Sequence, residues 1–264
     1  MPTFKKAEAK RFVGKTVVIT GGAAGMGRTT SVMFAQEGAK MVVILDIQAE
    51  AGAETIKMIE AAGGKGKYIQ TDVSNADQVT AAFDKIAKDV GAFDVLFNHA
   101  GTIIVKPLHE STEADYDRLM DINVKSAFLV CKRAVKDMSD NGGGSIVITS
   151  SIAAELGYAL EAIYCMSKGA VLQLARTISV EYRDAGIRCN AVCPGFVKTA
   201  HGLREIDELD AAGQQWEDAA LAAEQGRICE PEEVSAAVLF LASEEASFVN
   251  GQALYVDNGW FAKG

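Results

Sequence analysis

Short apolar runs rich in valine and isoleucine recur along the chain, separated by longer stretches in which apolar residues return every three or four positions. The runs are KTVVITG (15–21), KMVVILD (40–46), KYIQTDV (67–73), FDVLFNHAG (93–101), GSIVITSS (144–151), IRCNAVCPG (187–195) and QALYVDNG (252–259). Most are continuously apolar rather than alternating, as parallel strands are when helices cover both of their faces. Helical periodicity marks 26–38, 49–62, 76–90, 113–139, 162–185 and 231–243. This alternation predicts an α/β fold: one doubly wound domain over 1–264, with a parallel sheet of about seven strands and helices on both faces. Ligands of such sheets bind beyond the carboxyl ends of the strands, which is where chemistry is to be sought.

The 264 residues, 49% hydrophobic and 7% aromatic, suffice for one such core. Twenty-five glycines against four prolines, with no low-complexity tract, point to glycine turns and give no sign of a linker. A formal charge of −9 and a pI near 5.0, with Lys and Arg scattered, argue against a nucleic-acid partner. The polar, basic start (KKAEAKR) lacks the apolar run of about 7–15 residues of a secretory signal, and no stretch approaches the ~18 apolar residues of a membrane span. A cytoplasmic protein without a membrane partner is expected. Five cysteines form no CxxC pair and three histidines lie far apart, so no metal site is expected and the thiols are read as reduced and mostly buried.

The first strand runs into TGGAAGMGRTT, with glycines at 21, 22, 25 and 27 ahead of a helix. Glycine lets backbone N–H groups and a helix N-terminus approach a pyrophosphate closely. The spacing Gly21-xxx-Gly25-x-Gly27 differs from the commoner G-x-G-x-x-G. Asp46 ends the second strand nineteen positions after Gly27, close to the spacing of roughly 20 for a carboxylate that binds ribose hydroxyls. Such a carboxylate repels a 2′-phosphate, and no Lys or Arg stands in the Ala23–Ala24 turn, so NAD is expected rather than NADP. The competing reading of Asp46 is a cap for the next helix.

These residues resemble the short-chain dehydrogenase/reductase family: TGGAAGMG is similar to its TGxxxGxG turn, TDVS (71–74) to its adenine-contacting turn and NHAG (98–101) to its NNAG stretch. The resemblance covers about residues 12 to 260 and implies a Rossmann-like fold. It implies that Gly21, Gly25, Met26 and Gly27 hold the cofactor, that Asp72 and Val73 meet the adenine, and that Asn98 lies by the adenosine ribose. His99 stands where the family has a second Asn and is read as a local substitution, not a catalytic histidine.

An alcohol–carbonyl interconversion needs a hydride partner, a group that polarises oxygen and an acid/base. In AIYCMSKGA (162–170), Tyr164 and Lys168 fall one helical turn apart on one face. A free phenol has a pKa of about 10. The Lys168 charge and an oxidised nicotinamide are expected to lower it, allowing Tyr164 to act as acid/base. Ser151, thirteen residues earlier, is placed to hold the substrate oxygen. Ser150 competes for this role, and the family spacing favours Ser151. By resemblance, Asn123 in MDINVKSAF holds a water linked to Lys168. In NAVCPGFVKTA (190–200), Val197 and Thr199 would meet the nicotinamide carboxamide, and Tyr164 and Lys168 would touch the cofactor as well.

A lid is expected around 196–227, which carries His201, Arg204, Glu205, Asp207, Glu208 and Trp216. Its polarity favours a sugar, polyol or other small hydroxylated substrate, with Glu155, Tyr158 and Glu161 as further pocket residues. An NAD-dependent dehydrogenase of a secondary alcohol is the leading expectation. The alternatives are a 3-oxoacyl thioester reductase, disfavoured by Asp46 because such reductases generally use NADP, and a non-catalytic dinucleotide sensor, disfavoured by the intact Ser151, Tyr164 and Lys168 set. SFVNGQALYVDNGW (247–260) resembles the family's end strand, which implies a homotetramer.

Overall fold

In the computed structural model, which describes residues 10–214 and 218–263, seven parallel strands form one sheet. They are β1 (Thr16–Thr20), β2 (Met41–Asp46), β3 (Gly66–Gln70), β4 (Val95–Asn98), β5 (Gly144–Thr149), β6 (Ile187–Pro194) and β7 (Ala253–Val256), in the order β3-β2-β1-β4-β5-β6-β7. Neighbouring residues in each run enter opposite cores. Val17, Ile19, Val42, Ile44, Val95 and Phe97 pack on one face with Phe34 of α1 (Gly25–Gln36), Ile59 of α2 (Ala49–Ala61) and Val238 of α9 (Pro231–Ala242). Val18, Val43, Leu45, Leu96 and Ile146 pack on the other with Phe83 of α3 (Ala76–Asp89), Val130 of α5 (Ser126–Asp140) and Val171 of α6 (Ala162–Glu181). Burial on both faces is the physical reason the strands read as unbroken apolar runs.

The winding reverses between β1 and β4, which pair from Val17–Val95 to Thr20–Asn98. Carboxyl ends of strands diverge at such a switch point and leave a crevice. The third strand stops at Gln70, so Thr71, Asp72 and Val73 form the loop beyond it. The helix expected over 113–139 is divided into α4 (Glu113–Met120), a π turn (Asp121–Lys125) and α5. The extra residue of a π turn redirects a side chain; here Asn123 points inward. Residues within 196–227 form α7 (Ala200–Ala211) and α8 (Asp218–Glu224), helices that sequence periodicity does not mark. They cover a small apolar cluster of Ile152, Phe196, Leu209, Leu221 and Trp260. Trp216 lies outside the described residues. No helix among the described residues is long and apolar enough to cross a membrane.

Candidate active site

A cleft of about 610 Å³ opens at the carboxyl ends of the central strands. At one end lies the turn between β1 and α1. Gly21 has φ +70°, and a Cβ there would press on the Ala100 backbone; a Cβ on Gly27 would overlap the Gly21 carbonyl. Only glycine therefore allows this turn to close over the start of α1. No side chain caps α1 at Ala24, and Gly21, Gly25 and Met26 line the cleft while Gly27 packs behind them.

Asp46 is buried at the end of β2, where its carboxylate accepts hydrogen bonds from the Ala23 and Gln48 amides, both at 3.0 Å. It thus ties the glycine turn to the start of α2 and still lines the cleft. Arg28 is the cation nearest in sequence to this turn, and its guanidinium is engaged by the Ala23 carbonyl, Thr55 and the Glu54 carboxylate. Asp72 and Val73 line the cleft, with the Asp72 carboxylate accepting from the Ser74 amide and hydroxyl. The Asn98 side chain does not reach the cleft: it accepts from the Thr20 hydroxyl at 3.0 Å and donates to the Cys131 sulfur, joining β1 to the helices behind. His99 stacks on Phe97 and its Nδ1 lies 3.0 Å from the Thr149 hydroxyl. Burial, helped by the Lys168 charge, lowers its pKa to about 3, so it is neutral near pH 7.

At the other end of the cleft lie Ser151 and Tyr164, and the serine hydroxyl favours the ionised form of the phenol. The Ser151 oxygen also accepts from the Ala153 amide at 3.1 Å, which fixes its direction. Ser150, one position earlier, is turned into the protein and donates to the Lys168 carbonyl at 2.9 Å. Lys168 is buried; its Nζ donates to the Thr149 carbonyl at 3.1 Å and stands 5.5 Å from the Tyr164 ring centroid. Asn123 sits behind the cleft wall, accepting from the Thr102 amide at 2.7 Å and donating to the Thr102 carbonyl and the Ser167 hydroxyl.

The electrostatics differ from the sequence expectation at one point. Burial is the largest influence on Tyr164 and raises its pKa well above 10; Glu205 and Glu161 add to that rise, while the Ser151 hydrogen bond opposes it. Desolvation also lowers Lys168 to about 8. The phenol therefore holds its proton firmly, because it is desolvated and carboxyl groups act on it.

Val197 and Thr199 line the cleft between β6 and α7. The Thr199 oxygen caps α7 by accepting from the Gly202 amide at 3.0 Å. From α7, His201 and Glu205 reach the cleft, whereas Arg204 pairs with Glu208 at 3.5 Å away from it. Tyr158 and Glu161 also line it, but Glu155 is held by Arg176 and the Tyr255 hydroxyl. Trp260 completes the wall, a contribution from the far end of the chain that no local pattern signals.

Residues 21–261 match the family model described as enoyl-(acyl carrier protein) reductase. Cyclopentanol dehydrogenase of Comamonas sp. is 38% identical, the alignment covering 94% of this chain and 97% of the relative. Among solved structures, levodione reductase is 31% identical with a TM-score of 0.92, covering 96% of this chain and 100% of that one. NAD+-bound xylitol dehydrogenase is 28% identical with a TM-score of 0.91, covering 95% and 100%. With these matches along nearly its whole length, the chain belongs to the short-chain dehydrogenase/reductase family.

Proposed function

We propose that this chain is an NAD-dependent oxidoreductase that interconverts a secondary alcohol, such as a sugar, polyol or other small hydroxylated compound, and its carbonyl. The observation that carries this reading is that Ser151 and Tyr164 line the same cleft as the glycine turn and Asp46. The residues present fit a dinucleotide. Gly27 leaves no room for a Cβ, the start of α1 has no side-chain cap competing for its N–H groups, and a carboxylate at the end of β2 suits ribose hydroxyls. Gly21, Gly25, Met26 and Gly27 would hold the pyrophosphate, Asp46 the ribose, and Asp72 and Val73 the adenine. Asn98 would support that region from behind, since its side chain is committed to Thr20. Val197 and Thr199 would meet the carboxamide.

Bound NAD+ supplies the hydride acceptor and a positive ring charge. Tyr164 exchanges the proton: it donates to the carbonyl oxygen in reduction and receives from the alcohol in oxidation. Ser151, anchored by the Ala153 amide, polarises that oxygen with its own O–H. Lys168 keeps a positive charge beside the Tyr164 ring while bonded to Thr149, and Asn123, which holds the π turn against Thr102 and Ser167, would hold a water linked to Lys168. The division between the two serines is testable by steady-state kinetics. Ser151→Ala is expected to lower kcat/KM by about 10²-fold, the size of one lost electrostatic donor. Ser150→Ala is expected to act chiefly on thermal stability through its bond to α6; equal catalytic losses would contradict the assignment.

The domain reading is a single NAD-binding unit over 1–264 with a substrate lid around 196–227. A cytoplasmic homotetramer is proposed with it. Supporting assembly are a fully exposed Phe248 in the terminal segment and exposed Phe128 and Met166 on α5 and α6. Light scattering is expected to give four times the 28.0 kDa chain mass, and a stable monomer would remove the proposal.

A further inference from the structure

Beyond Tyr164 the cleft wall carries polar groups that proton exchange with a simple alcohol does not use. Glu161, the residue before α6, is 3% exposed, and its carboxyl shares a hydrogen bond with that of Glu205 on the second turn of α7. Neither makes an ion pair among the described residues: Arg204 turns to Glu208, and Lys168 donates to the Thr149 carbonyl. Two carboxyls in hydrogen-bond contact cannot both be ionised, so the pair retains a proton. Desolvation accordingly raises both groups above the ordinary carboxylate range. Both line the same cleft as Tyr164, and both raise the pKa of its hydroxyl.

A second observation is independent of the acids. The Tyr158 hydroxyl is fully buried and has no hydrogen-bond partner, although Tyr158 forms part of the cleft wall and is held edge-on against Trp260 at 5.5 Å. An unsatisfied buried hydroxyl destabilises the fold. A buried acid pair without a cation is also less stable than apolar side chains of the same volume. The acid pair, set in the wall of the cleft, is explained by what it binds there.

We propose that the Glu161–Glu205 pair binds a second hydroxyl of the substrate, so that the preferred substrate is an uncharged diol or polyol. One carbinol is presented to Ser151 and Tyr164, and another donates its O–H to the free lone pairs of the acid pair. A mono-alcohol leaves those lone pairs unmet, and a substrate carboxylate adds repulsion. This inference rests on the dehydrogenase reading above and specifies its substrate class.

The test is kcat/KM with NAD for cyclohexanol, the 1,2-, 1,3- and 1,4-cyclohexanediols, 4-aminocyclohexanol and 4-hydroxycyclohexanecarboxylate. It is run on the wild type and on Glu161→Gln and Glu205→Leu, each checked for folding by thermal melting. At least one diol is expected to exceed cyclohexanol by ~10-fold or more, because a site built to pair a hydroxyl rejects the analogue without it. The carboxylate is expected to fall below cyclohexanol. In the acid-pair variants the diol-to-cyclohexanol ratio should collapse toward one, a change that general damage to catalysis does not produce. Should one variant fail to fold, the ratio in the other decides. A wild-type ratio near one, or a ratio that neither variant changes, overturns the inference while leaving the dehydrogenase reading intact. A preference for the amine over every diol overturns the hydroxyl assignment. Absence of NAD-linked oxidation of any member overturns the dehydrogenase reading, and the inference falls with it.

Discussion

Replacing Tyr164 with Phe is expected to lower kcat/KM for alcohol oxidation by about 10³-fold, within the range for loss of a positioned acid/base. The ring stays in place between Ser151 and Lys168, so the cleft keeps its shape and only the proton-carrying oxygen is lost. Ser151 still polarises the substrate oxygen, which leaves a residual rate. Dinucleotide binding, followed by fluorescence titration, is expected to change by less than about threefold, because the removed atom belongs to the proton step. An equal loss in binding and in turnover would instead mean that the variant had damaged the cleft, and retention of the full rate would remove Tyr164 from the mechanism.

The second large effect is on cofactor choice. Asp46→Asn is expected to shift the ratio of kcat/KM with NAD to that with NADP by about 10²-fold toward NADP, equivalent to about 2.7 kcal/mol. The wild-type carboxylate repels a 2′-phosphate in a buried setting, where charge interactions are screened less than in water. Asn keeps the size and an acceptor oxygen for one of the amides of Ala23 and Gln48, so the turn is expected to hold. Arg28 adds a feature invisible to a scan of the turn itself. Already engaged by Glu54, Thr55 and the Ala23 carbonyl, it is not available to a phosphate. A wild type that uses NADP as efficiently as NAD contradicts this assignment.

Much of the sheet was legible because burial on both faces imposes continuous apolar runs, and all seven were placed within a few residues of the observed strands. Tyr164 and Lys168 were legible because a four-residue spacing sets side chains on one helical face. Features built from distant parts of the chain were not. Helices α7 and α8 are short and charged, and their apolar positions meet Ile152, Phe196 and Trp260 only in the folded protein. The π turn at Asp121–Lys125 leaves the three-to-four-residue periodicity nearly unchanged. Adjacent Ser150 and Ser151 were separable only by family spacing, until the bond from Ser150 to the Lys168 carbonyl fixed which way each faces. Glu161 was legible as a pocket candidate and Glu205 as a residue of the lid, but forty-four positions of chain hide their interaction.

The surroundings of Tyr164 also explain why its pKa is raised rather than lowered. Desolvation raises it most, and Glu205 and Glu161 add to the rise. In the proposed mechanism the phenol serves as the acid in carbonyl reduction and, with NAD+ bound, as the base in alcohol oxidation.

The most direct test of the central claim follows NADH absorbance in purified wild type and Tyr164→Phe with NAD and a panel of secondary alcohols and polyols. Ketone is quantified in parallel. The expected result is NADH and ketone formed one to one by the wild type, with the rate in the variant about 10³-fold lower. Wild-type rates in the variant, or no NADH from any secondary alcohol, would contradict it.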